Sequence, residues 1–165
     1  MNRRASGTEP FMDLSRESKV TGVRYVVGAV ITDGAGRAYM QRRSPRARHF
    51  PGCWDIVGGH VEENETLEQA LAREIREETG WELARIHGIV GTFDWPGDDG
   101  VTRREIDVLA EVTGDLSEPT LETEKFTDHV WADEEELRRM QRAVPAPDAA
   151  MIRLCLQADC ARIVR

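Results

Sequence analysis

Residues 66–80, TLEQALAREIREETG, constrain the chain more than any other stretch. Thr66 with Gln69 three residues later makes a capping box. Gly80 is a normal C-terminal stop. A helix is therefore expected between them. Set Glu74 at zero and turn about 100° per residue; Leu67 then falls at about 20°, Leu71 at about 60°, Ala70 at about −40° and Ile75 at about 100°. These four define the buried stripe. On the same projection Glu78 falls at about 40°, inside the stripe, and Glu77 at about −60°, at its edge. Glu74 and Glu78 thus continue the core-facing side at the far end of the helix.

That position is unfavourable for acids in three ways. Buried carboxylates lose hydration. Acids spaced i, i+3 and i+4 repel one another. The helix C-terminus already disfavours negative charge. Arg73 and Arg76 cannot obviously neutralise all three glutamates, whereas a divalent cation can. Mg²⁺ takes hard oxygen ligands, keeps some waters and bridges to phosphate oxygens. The competing interpretation, a solvated acidic face balanced by Arg73 and Arg76, is disfavoured by the angular positions. Gly58-Gly59, just ahead of the helix, allow close backbone approach to a ligand, and a glycine carbonyl is a further hard oxygen donor.

The 165 residues suit one domain of about 100–200 residues. Residues 1–20 are polar and aperiodic and are expected to form a flexible tail, leaving 21–165 as a single domain. A net charge of −8 argues against a partner that is a nucleic-acid polymer. An acidic protein still binds an acidic small molecule through a bridging cation. No apolar run approaches a membrane span, and the first twenty residues lack the apolar core of a secretory signal. Cys53, Cys155 and Cys160 form no C-x-x-C pair, so free thiols in a cytoplasmic protein are expected.

Strands are expected at 25–32, 37–42, 54–57 (running into Gly58-Gly59), 81–95 as one long or two short strands, 103–113 and 129–132. A helix is expected near 133–142, and a last one capped by Asp148. The mixture points to an α+β or α/β sandwich.

Gly59, five residues, Glu65, seven residues, then Arg73-Glu74-Ile75-Arg76-Glu77-Glu78-Thr79-Gly80-Trp81 resembles the Nudix box, G-x5-E-x7-R-E-U-x-E-E-x-G-U, where U is bulky and apolar. Every fixed letter is present over residues 59–81; Trp81 is aromatic where an aliphatic residue is usual. The resemblance implies an α/β fold, an α/β/α sandwich with a mixed β-sheet. It implies hydrolysis of a diphosphate linkage in a nucleoside diphosphate derivative, with Mg²⁺ as cofactor and Mn²⁺ as a substitute. It makes Glu74, Glu77, Glu78 and the Gly58 carbonyl candidate metal ligands, with Arg73 holding a glutamate and Glu65 its structural partner.

The base that takes a proton from the attacking water is left open between Glu74 and an acid in residues 121–131, LETEKFTDHVW. This stretch resembles a family segment in which a glutamate precedes a lysine and a later Trp. Glu122 is the first choice there and Glu124 the second. Arg43 and Arg48, in a basic loop with Arg42, Arg46 and His49, are candidate phosphate contacts. Trp54 is a candidate for stacking on a base. The expected partner is a small nucleotide, with a homodimer left open. Two other functions share the fold: a non-catalytic nucleotide-sensing module, and an isoprenoid diphosphate isomerase, which would need a catalytic cysteine.

Overall fold

The run RYVVGAVIT is rich in β-branched residues, and all but its first residue are buried. Burial on both faces makes it a central strand. A computed structural model describes residues 13–158 and 160. In it this run is β1 (Arg24–Thr32), followed by β2 (Ala38–Arg43), β3 (Trp54–Asp55), β4 (Val57–His60), α2 (Leu67–Thr79), β5 (Glu82–Pro96), β6 (Thr102–Thr113), β7 (Phe126–Ala132), α3 (Glu134–Ala143), a 3₁₀ turn (Ala146–Ala149) and α4 (Ala150–Gln157). Helix α1 (Leu14–Thr21) precedes β1.

The sheet order among the described residues is β3-β2-β1-β6-β5, with β4 on β1 and β7 on β2. β1 runs parallel to β6 from Arg24↔Arg103 to Thr32↔Glu111. It is antiparallel to β4 from Val26↔His60 to Ala29↔Val57. It meets β2 at Thr32↔Ala38. β1 thus changes partner along one edge, from β4 to β2, and the sheet is mixed.

Strand alternation splits the core into two. Val27, Ala29 and Ile31 of β1 join Ile106 and Val108 of β6 beneath Leu67, Leu71 and Ile75 of α2. Val30 and Leu109 face the other way, with Met40 and Ile56, and are covered by Leu137 and Met140 of α3 and Ile152 and Leu154 of α4. The fold is an α/β/α sandwich around a mixed sheet.

Several local expectations change. The proposed tail is helical at its end: Asp13 caps α1 by accepting the Arg16 N–H at 2.9 Å. Leu14 is fully buried in the α2-side core. One buried apolar residue leaves too little periodicity to be seen in sequence. Residues 1–12 lie outside the described residues. Gly58 and Gly59 sit inside β4 rather than after a strand. Residues 82–96 are a single strand, with irregular register at three places. Asp148 lies in the 3₁₀ turn and does not cap α4. Trp81 fits because its ring stacks on Trp131 at 5.5 Å and meets Tyr39 edge-on at 4.9 Å, while its indole N–H donates to the Asp115 carbonyl at 2.8 Å.

If α1 belongs to the folded unit, Leu14→Ala should lower stability by about 2–4 kcal/mol in urea denaturation. A loss below about 0.5 kcal/mol, typical of a surface site, would return these residues to the status of a tail.

Candidate active site

The capping box on α2 forms as expected, with the Thr66 hydroxyl and the Gln69 side chain bonded reciprocally. Gly80 ends the helix in the left-handed conformation at φ 75°. The helix therefore starts and stops where the acidic positions need it to. Glu74 and Glu78 are 7% and 3% exposed. The Glu77 side chain is 51% exposed.

Each buried acid has a distinct set of partners. Arg73 donates from Nη1 to Glu74 Oε1 at 2.6 Å. The same guanidinium grips Glu65 through Nε at 2.7 Å and Nη2 at 3.0 Å, and Nη2 also donates to the His60 carbonyl at 2.9 Å. Glu77 lies 3.5 Å from Arg73 Nη1. Glu78 Oε2 accepts from Gln41 Nε2 at 2.6 Å and from the Gly58 N–H at 3.3 Å. A β-carbon on Gly59 would meet the Glu74 carboxylate, which would have to shift to make room.

Burial lifts both carboxyls above their ordinary range. For Glu74, Arg73 works against the loss of hydration. For Glu78, burial and the charge of Glu74 outweigh the two hydrogen bonds and push it to about 8. A compact pair of acids held close against its own repulsion is a site short of positive charge.

Loop 117–125 reaches the same place. Ser44 N–H donates to the Lys125 carbonyl at 2.7 Å, and the Lys125 charge acts on both Glu74 and Glu78. Glu122 lies 3.0 Å from Lys125 Nζ, while Glu124 is exposed. Sequence reasoning missed Gln41 and Lys125. Gln41 is a fully buried amide in β2, and one polar letter in AYMQRR was the only available sign.

The substrate-contact candidates have these protein partners. Arg43 donates to the His49 carbonyl at 2.9 Å and pairs with Asp55 at 3.1 Å. Arg48 pairs with Asp98 at 3.0 Å and remains largely exposed. Trp54 packs half-buried against the core under α3 and α4. The Cys53 thiol is pushed up by burial and by the nearby Asp148 and Asp55, which favours the inert form over the thiolate an isomerase would use.

The donors around α2 are hard carboxylate and carbonyl oxygens, the type that suits Mg²⁺. Among the described residues no three His, Cys, Asp or Glu side chains converge on one point as a metal site; Glu74 and Glu78 lie together, while the Glu77 side chain is 51% exposed. Such a donor set fits a cation that retains waters and shares its coordination with substrate phosphates.

On the opposite face of the sheet, Asp107 of β6 is fully buried, and its carboxyl is hydrogen-bonded to Glu105, which also takes the Trp95 indole N–H. Burial first, then Glu105, pushes it to about 9.

The chain belongs to the NUDIX domain family, whose model matches residues 22–155. An uncharacterized Nudix hydrolase of Nostoc sp. is 41% identical over 63 residues, 38% of this chain and 37% of the relative. Nucleoside triphosphatase NudI of Escherichia coli is 37% identical over 97 residues, 53% of this chain and 67% of the relative. The match thus spans little over a third of the Nostoc relative's length. The crystal structure of the MutT NUDIX hydrolase from Burkholderia pseudomallei aligns with a TM-score of 0.63 and 28% identity, covering 82% of this chain and 97% of that one.

The raised carboxyl of Asp107 carries a stability consequence. An acid whose folded pKa lies above its unfolded value stabilises fully below the unfolded value, and that contribution is lost as pH rises through the folded one. Asp107→Asn should therefore gain on the wild type as pH rises from about 4 to about 9, by at least about 1 kcal/mol. Thermal melts at several pH values check this. Parallel pH curves for the two proteins would show that Asp107 ionises normally.

Proposed function

We propose that this chain hydrolyses a diphosphate linkage in a nucleoside diphosphate derivative, releasing a nucleoside monophosphate or pyrophosphate, with Mg²⁺ as its cofactor and Mn²⁺ as a substitute. One observation carries the proposal: Glu74 and Glu78 are buried side by side against a glycine strand with too little cationic compensation. The family relationship supports the same chemistry, as does the relative named as a nucleoside triphosphatase.

Glu74, Glu77, Glu78 and the Gly58 carbonyl would hold the cation. When bound, such an ion neutralises phosphate charge and lowers the pKa of an attacking water. The protein's part is positioning. Arg73 fixes Glu74 while anchored on Glu65 and His60. Gln41 and the Gly58 N–H fix Glu78. Lys125 brings a positive charge towards the two acids and would meet substrate phosphate. Two acids are candidates to accept the water's proton: Glu74, which Arg73 holds through Oε1, and Glu122, which Lys125 holds through Oε2. Among the described residues no helix is long and apolar enough to cross a membrane. A reducing, cytoplasmic setting suits the thiols of Cys53 and Cys155.

A panel of nucleoside triphosphates and nucleoside diphosphate derivatives, incubated with Mg²⁺ and assayed for released phosphate and pyrophosphate, tests the activity. Glu77→Gln should lower kcat/KM by at least about 100-fold, roughly 3 kcal/mol of transition-state stabilisation. Its exposed side chain should leave the melting temperature nearly unchanged. Glu122→Gln separates the two candidate bases: a loss below about 10-fold leaves Glu74 as the base. Absence of turnover with every compound would overturn the hydrolase assignment, and a large loss in Glu122→Gln would assign the base to that loop.

A further inference from the structure

Helix α1 lies outside the span that the family model matches, yet its contacts lead to the acidic helix. Its place is set at both ends. Leu14 is fully buried in the α2-side core. Gly22 ends the helix, and β1 begins two residues later at Arg24. The next residue, Tyr25, hydrogen-bonds Glu17 of the helix through its side chain and accepts the Val61 N–H through its carbonyl at 3.0 Å. Val61 follows β4 directly. A helix tethered to β1 by so short a link stands beside whatever the chain builds after β4.

The chain builds a turn there, residues 62–65, closed by the Glu65 N–H on the Glu62 carbonyl at 3.2 Å. Asn64 sits at φ 66°, a left-handed conformation that asparagine tolerates better than most residues. Its N–H donates to Ser15 Oγ at 2.9 Å. One helical turn along α1, Lys19 Nζ donates to Glu63 Oε1 at 2.7 Å. Ser15 and Lys19 are spaced i, i+4, so one face of the helix holds both central residues of the turn. Helix and turn border a cavity of about 470 Å³, lined by Ser15, Ser18 and Lys19 on one side and by His60, Glu62 and Glu63 on the other. The two polar contacts bridge that gap and set the spacing.

The turn ends on Glu65, the residue that anchors Arg73. Glu65 Oε2 accepts the Glu62 N–H at 2.8 Å, and the two carboxylate oxygens take Arg73 Nε and Nη2. Arg73 has other acids within reach, Glu62 at 3.9 Å and Glu77 at 3.5 Å, both more than half exposed. The position of the turn therefore decides which acid the guanidinium takes. With Glu65 in place, the fork leaves Nη1 for Glu74. Drawn towards Glu62 or Glu77, it would leave Glu74 buried without its donor, a costly arrangement.

We propose that α1 is a strut for the acidic site, with Ser15 and Lys19 as positioning residues that hold turn 62–65 so that Glu65 keeps Arg73 on Glu74. The proposal rests on the hydrolase reading for its effect on metal binding and turnover; the link from α1 to Arg73 stands on the contacts themselves.

The link can be read without turnover. The Nε–H of Arg73, hydrogen-bonded to Glu65, gives a side-chain NMR resonance whose exchange with water reports local opening of that bond. Ser15→Ala and Lys19→Glu should each speed this exchange by at least about 3-fold, the size expected for loss of one hydrogen bond. Ser15→Thr keeps the hydroxyl, and Lys19→Glu combined with Glu63→Lys restores the pair in reverse. Both should return the exchange to within about 1.5-fold of the wild type. Mn²⁺ affinity, measured by calorimetry, should fall and recover in the same order. Unchanged Arg73 exchange in both single variants would overturn the strut. Equal acceleration at the Ile75 backbone amide, in the buried stripe of α2, would mark global opening and overturn it too. Faster Arg73 exchange with unchanged Mn²⁺ affinity would show that the strut does not reach the acids, and would also overturn it. A wild type that binds no Mn²⁺ would overturn the metal-dependent reading instead, and Arg73 exchange would still decide the strut.

Discussion

Arg73 is the junction on which the site depends. Its guanidinium joins three pieces of chain: Glu65 before the helix, Glu74 on it, and the His60 carbonyl at the end of β4. A planar fork can satisfy these directions at once, whereas a lysine point charge cannot. The junction makes a buried Glu74 tolerable and sets the distance between helix and strand. At that distance a β-carbon on Gly59 would displace the Glu74 carboxylate that Arg73 holds. Glu78 then takes its own partners from the sheet, Gln41 and the Gly58 N–H.

The helix was legible in the sequence because its signals are local. A capping box, a stop glycine and a 3.6-residue period give its limits and its inward face, and the inward positions of Glu74 and Glu78 follow from angle alone. The pairing of Arg73 with Glu65 followed from the family resemblance. Helix α1 was not legible, because its attachment rests on one buried leucine. The pairing of Arg43 with Asp55, one strand away, was not legible either. Such a partner is chosen by strand register, which no single stretch of sequence displays.

The same limit hid the surroundings of Asp107 on the other face. In REIDVLAEVT, Asp107 reads as one of three acids in the strand. What distinguishes it is its neighbours across the sheet, Gly28 and Gly91, which are 79 and 16 positions away in the chain by subtraction. The glycine row around it appears only once the parallel and antiparallel ladders are assembled.

β4 is four residues long, and its two glycines serve opposite sides. Gly59 lies under Glu74, and Gly58 closes the row beside Gly28. With no side chains at these positions, no rotamer change is available to absorb a shift of the strand. A displacement of β4 from either face is therefore passed directly to the other. The strand acts as a rigid spacer, so the packing beyond Gly28 and the position of the acids are not altered independently.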